Sequence, residues 1–275
     1  MPQENRLAIF ALLTTIGFAA AGVAQTATGE RPPAAASPAK ADSPTDVKTT
    51  KEPNKSAEKK TANDAKGLSA VPDAKQAGGE PDGIVQVANL VYAGTKSSRC
   101  FADHFLIKAE KESAISTSRR FHAVKLADDD LFEFPLVIMT GEGDFQLSDR
   151  ERENLRRYVE RGGFLLASAG CSSTEWDRAF RREMTAVFPQ QSLEPIDMSH
   201  PIFHTVYDIG ELTTSHGGTP RPLVGVSVGG RLGVIYSPDG LNDTHHTQGC
   251  CCCGGNELGH AVEINVNILA YALLY

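Results

Sequence analysis

Six cysteines carry most of the reactive chemistry in this 275-residue chain, and four are consecutive, Cys250-Cys251-Cys252-Cys253. The other two, Cys100 and Cys171, each follow a segment that reads as a β-strand. Three chemistries suit this pattern. The first is disulfide bonding. Neighbouring cysteines pair awkwardly, because consecutive α-carbons are about 3.8 Å apart while disulfides prefer about 4.4–6.8 Å. In an extended run Cys250 and Cys252 face one way and Cys251 and Cys253 the other. Bridges from the run to Cys100 and Cys171 are therefore the easier ones. The second is metal binding. Cys171, Cys250 and Cys252, with His246 or His245, combine thiolate and imidazole ligands suited to zinc or copper, although the spacing is not C-x-x-C. The third is nucleophilic catalysis at Cys171. This residue stands two or three positions before an expected helix, where free N–H groups and the helix dipole favour a thiolate. A base is then needed, for which His245, His246 and His200 are candidates.

A second cluster is Gly141-Glu142-Gly143-Asp144. The two glycines permit sharp turning and close approach of a ligand, which makes Glu142 and Asp144 candidate ligand-facing acids. The plainer reading is a capped turn ahead of a helix. No third glycine follows at the spacing of a dinucleotide fingerprint. The acidic run Asp128-Asp129-Asp130 reads as a solvated turn.

The elements that must hold these residues alternate in type. Strands are expected at Ile84–Tyr92, Phe121–Ala127, Pro135–Thr140 and Phe164–Ala169. The last two are short, continuously apolar runs of the kind buried on both faces of a parallel sheet. A helix is expected over Phe101–Lys111. Another opens at Ser148, where Ser148 and Glu151 form an S-x-x-E capping box. It buries Leu155, Tyr158 and Val159 and ends at Gly162-Gly163. Ser172 and Glu175 suggest a second box. Trp176, Phe180, Met184 and Val187 then fall on one helical face and read as core. Leu223–Val228 and Arg231–Tyr236 flank Gly229-Gly230 as a hairpin. A final helix is expected over Asn256–Tyr275.

This order predicts an α/β fold of three layers, a mainly parallel sheet with helices on both faces, flavodoxin-like in its layering. In open sheets of this kind ligands sit at the carboxyl ends of the strands. The loops there are 93–100, 128–130, 141–147, 169–173 and 237–255, which brings all six cysteines toward one rim.

Ahead of that domain, composition changes twice. Residues 1–24 hold Arg6, an apolar run from Leu7 to Phe18, and small residues ending at Ala24, the pattern of a cleaved signal peptide. Retained, the same stretch is just long enough to anchor the chain to a membrane or envelope. Residues 25–83 are rich in Ala, Lys, Pro, Asp, Thr and Ser and lack aromatic side chains. Such a segment cannot bury enough apolar surface to offset its conformational entropy, so a disordered linker is expected. The domain is then residues 84–275, with 17 Lys+Arg against 24 Asp+Glu, a difference of −7. An acidic domain is poorly suited to nucleic acid. Export, periplasmic or extracellular, would let disulfides persist.

The runs Pro135-Leu-Val-Ile-Met-Thr-Gly-Glu-Gly-Asp-Phe-Gln-Leu-Ser148, Leu155-Arg-Arg-Tyr-Val159 and Arg161-Gly-Gly-Phe-Leu-Leu166 resemble the DUF4159 family. So do Phe180-Arg-Arg-Glu-Met184, Phe188-Pro189, His200-Pro201 and Gly230-Arg-Leu-Gly-Val-Ile-Tyr-Ser237. The resemblance spans roughly residues 85–275. It implies a class I glutamine amidotransferase-like fold, in which a nucleophilic Cys occupies a strand-to-helix elbow. Glu142 stands where many members carry histidine, and Ser168-Ala169-Gly170-Cys171 where many carry acids, which suggests a Cys-rich variant.

The leading expectation is an exported ligand-binding or interaction module braced by disulfides in its Cys-rich loop. The alternatives are a thiol hydrolase or transferase using Cys171, and a zinc- or copper-binding protein.

Overall fold

The computed structural model describes residues 83–97, 100–247, 250 and 255–275. The expected signal peptide, the linker up to Asp82, and Cys251, Cys252 and Cys253 lie outside the described residues.

The strands are β1 (Val85–Val91), β2 (Thr117–Lys125), β3 (Leu136–Gly141), β4 (Phe164–Ala169), β5 (Glu194–Pro195), β6 (Val224–Val228) and β7 (Arg231–Ser237). The helices are α1 (His104–Glu112), α2 (Asp149–Glu160), α3 (Thr174–Val187) and α4 (Ala261–Leu274). The strands form one seven-stranded sheet in the order β2-β1-β3-β4-β7-β6-β5. β2, β1, β3, β4 and β7 run parallel, while β6 and β5 join antiparallel through the expected hairpin. This is a three-layer α/β fold.

Side chains of the central strands alternate between two cores. Val137, Met139, Leu165 and Ala167 face a cluster containing Leu155 and Tyr158 of α2 and Trp176 and Phe180 of α3. Leu136, Ile138, Phe164 and Leu166 face the other, with Phe105 and Leu106 of α1 and Ile264 and Ile268 of α4. Because β4 has helices on both sides, all six of its residues are buried. That double burial removes the polar alternation of a half-exposed strand.

The helix starts are built locally. Ser148 Oγ accepts from Glu151 N at 3.3 Å, and Glu151 Oε2 accepts from Ser148 N at 2.7 Å, so the first capping box is formed. Glu151 also accepts from Ala93 N at 2.7 Å, which ties the end of β1 to α2.

Four boundaries differ from the sequence expectation. The cap of α3 is Ser173, accepting from Trp176 N, rather than Ser172 with Glu175. Cys171 and Ser172 both take left-handed backbone, which adds a tight turn and delays the helix by one residue. β2 begins at Thr117, because a bulge lets Val85 pair with Thr117 before the regular register starts. Asp129 opens a short 3-10 helix, Asp129–Glu133, in place of a simple acidic turn. α4 begins at Ala261 rather than Asn256. Leu258 is held in an extended segment instead, bridging Thr214 and donating to Gly240 O at 3.0 Å.

Candidate functional site

The segment leaving β7 is pinned across the carboxyl ends of β3 and β4. Ser168 Oγ accepts from Leu241 N at 2.7 Å and donates to Asn242 Oδ1. Asn242 Nδ2 donates to Thr140 Oγ1 at 3.2 Å, and Asn242 O accepts from Ala102 N at 2.8 Å. From below, Asn265 of α4 donates to Leu241 O at 2.9 Å. Gly240 has φ +111°, and a Cβ there would lie 3.1 Å from Ala169 O, so glycine suits this crossing on both counts. These bonds satisfy backbone and side-chain groups that are out of reach of water.

The pinned segment ends at Asp243, which is left-handed (φ 53°, ψ 51°) and 2 % exposed. A single turn of 3-10 helix, Thr244–His246, follows and folds two histidines back over its carboxylate. Asp243 Oδ2 lies 2.7 Å from His246 Nδ1, and Oδ1 lies 3.0 Å from His245 Nε2. The second contact does not have hydrogen-bond geometry, and Oδ1 is left without a hydrogen-bond partner among the described residues. His104, the first residue of α1, stacks on His246 with centroids 4.3 Å apart and planes within 3°.

Glu257 approaches from the return strand of the same loop. Its Oε2 accepts from Thr244 N and Thr244 Oγ1, both at 3.1 Å, while its buried Oε1 has no partner among the described residues. Burial pushes the Glu257 carboxyl above the usual carboxylate range, opposed by the Thr244 bonds and reinforced by nearby Asp243. These groups line a cavity of about 570 Å³ together with Cys171 and His216. Its rim is braced by an ion pair between Lys108 of α1 and Glu263 of α4 at 3.1 Å.

Cys171 therefore shares a cavity with His245 and His246, as the carboxyl-end argument expects. Its φ of 49° and ψ of 32° place it in a sharp turn between β4 and α3. Neighbouring Ser172 clips this turn to both halves of the loop, donating to Asp239 O at 2.7 Å and accepting from Asn256 N at 2.8 Å. Gly255 packs directly on the turn, where an added Cβ would fall 2.5 Å from the Cys171 carbonyl carbon. The approach is possible only without a side chain.

Cys100 and Cys250 are joined in a disulfide, with α-carbons 5.7 Å apart. This is the long-range bridge the spacing favoured, and it ties the entry to α1 to the cavity loop. It also removes Cys250 from the metal-ligand set, since a disulfide sulfur is no thiolate donor. The candidate acids of the Gly141–Asp144 loop do not border the cavity. Asp144 pairs with Arg182 at 3.1 Å, and Glu142 is exposed. Gly143 N donates to Ser173 Oγ at 3.3 Å, and a Cβ on Gly141 would fall 2.9 Å from Trp176 Nε1. This loop packs against the start of α3.

The Asp243, Glu257, His104 and His216 contributions were not anticipated from sequence. The spacing D-x-H-H at Asp243–His246 is the local signal that could have found Asp243; Glu257, His104 and His216 join the site only through the fold.

A family model described as a domain of unknown function, DUF4159, matches residues 87–273, well over half of the chain. The chain belongs to the DUF4159 family. The match begins within β1 and ends within α4, so the DUF4159 region includes every strand and helix around the cavity apart from the first residues of β1 and the last of α4. No curated protein matches the sequence. The disulfide of this DUF4159 domain is compatible with an oxidising compartment. No helix among the described residues is long and apolar enough to cross a membrane.

Proposed function

We propose that this protein is an exported, non-catalytic ligand-binding module. In this reading residues 1–24 direct export, residues 25–83 act as a tether, and residues 84–275 present the cavity. The observation that carries it is the cavity itself. Its floor is buried and threaded by hydrogen bonds, and its wall gathers carboxylates, imidazoles and Cys171 from loops distant in sequence. Pre-formed concave sites with a few convergent polar groups are the usual form of small-ligand sites.

The covalent brace supports the same reading. Cys100–Cys250 fastens the loop that bears His245 and His246 to the start of α1, which bears His104. A pre-ordered loop lowers the entropic cost of ligand capture. The strand order and the sharp turn at Cys171 further support kinship with the class I glutamine amidotransferase-like fold. Fold kinship alone assigns no chemistry.

Native mass spectrometry of the exported full chain tests the proposal, comparing wild type with Val262→Trp, which fills the cavity wall. Retention of a small molecule by wild type and its loss in the variant are expected. A substrate turnover that disappears in Cys171→Ser, with folding intact, would overturn the non-catalytic assignment in favour of thiol chemistry.

A further inference from the structure

We propose that Asp243, His245 and His246 form a binding site for a divalent transition-metal cation of the zinc or copper(II) class, with the Glu257 carboxylate beside it. The inference rests on the cavity reading above and names its ligand class.

Three observations carry it. One ligand atom from each of Asp243, His245 and His246 lies within 4.8 Å of the others, a spread that small side-chain rotations close around one ion. Tetrahedral coordination at roughly 2.0–2.2 Å from the metal needs donor atoms only a little over 3 Å apart. The carboxylate already stands 2.7 and 3.0 Å from the two imidazole nitrogens.

The second observation is unmet demand. Asp243 is 2 % exposed and Glu257 8 % exposed, yet Asp243 Oδ1 and Glu257 Oε1 each lack a hydrogen-bond partner among the described residues. A buried carboxylate oxygen left unpaired is costly, and two at one cavity cost more. A cation bound at Asp243 supplies the missing partner of Oδ1 and offsets the charge of the neighbouring Glu257 carboxylate. Among the described residues, neither Lys108 nor any other basic side chain forms an ion pair with either carboxylate, apart from the two histidines themselves.

The third is the chemistry of the donors. Two imidazoles and a carboxylate suit zinc, copper or nickel and fit poorly with the all-oxygen shells of calcium or magnesium. Three protein ligands facing an open cavity leave a coordination position for a further ligand. The support is already in place. Thr244 binds Glu257 through both its N–H and its hydroxyl, and His104 stacks on the His246 ring, so both groups are oriented before any ion arrives.

The test uses the full oxidised chain, stripped with chelator and titrated with zinc against a chromophoric competitor. One zinc per chain is expected. Affinity should fall by roughly a hundredfold in Asp243→Asn and in the His245→Ala/His246→Ala double variant. Both histidines are surface-exposed, so the double variant keeps its fold, which the denaturant midpoint checks. X-ray absorption of the zinc-loaded protein should show nitrogen and oxygen neighbours. Zinc binding that is equally tight in the double variant overturns the assignment. So does a spectrum dominated by sulfur, which would move the ion to cysteine. A chain that takes up no zinc but retains an organic molecule in native mass spectra would sink the metal site and leave the ligand-binding reading standing.

Discussion

Asn267 shows how one side chain fixes a stretch of loop. From within α4 its Oδ1 accepts from Val206 N at 2.9 Å and Tyr207 N at 2.8 Å, and its Nδ2 donates to Tyr207 O at 2.9 Å. Replacement by alanine strands three backbone groups. We expect Asn267→Ala to lower stability by about 2–4 kcal/mol, read from the shift in denaturant midpoint at constant slope. Gly255→Ala acts by intrusion instead. Its methyl would enter the Cys171 turn, so a loss of about 1–3 kcal/mol is expected, together with loss of ligand retention. Acid sensitivity belongs to this scale as well. Bonds from Thr117 N and from Arg119 hold the Glu110 carboxyl below its ordinary value. A depressed carboxyl contributes stability above its unfolded pKa and loses it as pH falls through the folded one. Glu110→Gln should therefore flatten the decline of denaturant midpoint below about pH 5 and leave its shape at neutral pH unchanged.

At the scale of elements, the strands and helices were legible where one physical signal dominates. β3 and β4 announce themselves as unbroken apolar runs because both faces are covered, and α2 because Ser148 and Glu151 close a reciprocal cap. Ser148→Ala should cost about 0.5–2 kcal/mol by thermal or denaturant unfolding. A larger loss would mean that the Glu151 link to Ala93 depends on the cap as well. What misled the reading was tertiary. Ser172 and Ser173 are both competent caps in sequence, and the choice falls to Ser173 only because Cys171 and Ser172 turn left-handed to meet residues 239 and 256. Likewise, nothing local stops α4 from starting at Asn256. It is the pairing of Leu258 with Thr214 and Gly240 that keeps this segment extended. The candidate site was half visible for the same reason. Cysteines and adjacent histidines stand out by type, whereas Asp243 and Glu257 become site residues only when a long loop doubles back.

At the scale of the molecule, the domain is two cores sharing one sheet, with the cavity at one edge. The Cys100–Cys250 bond spans 150 residues of sequence and closes that edge. Removing it as Cys100→Ser/Cys250→Ser should cost about 2–4 kcal/mol, since longer closed loops restrict the unfolded chain more. The same pair of substitutions should weaken ligand or zinc retention beyond what stability alone explains, because it releases the loop carrying His245 and His246 from the start of α1. Retention measured well below the unfolding transition separates the two effects.

That bond has a further consequence for how the protein withstands attack. Among the described residues, six of the seven strands and three of the four helices lie wholly between its ends, while β1 and α4 flank it. A single proteolytic cut anywhere inside that circle leaves the two pieces covalently strung together. A nicked molecule would migrate as one species on a denaturing gel until a reductant is added, and would then fall into two bands. In a protease-rich exterior, scission alone would not disperse the parts needed to rebuild the cavity.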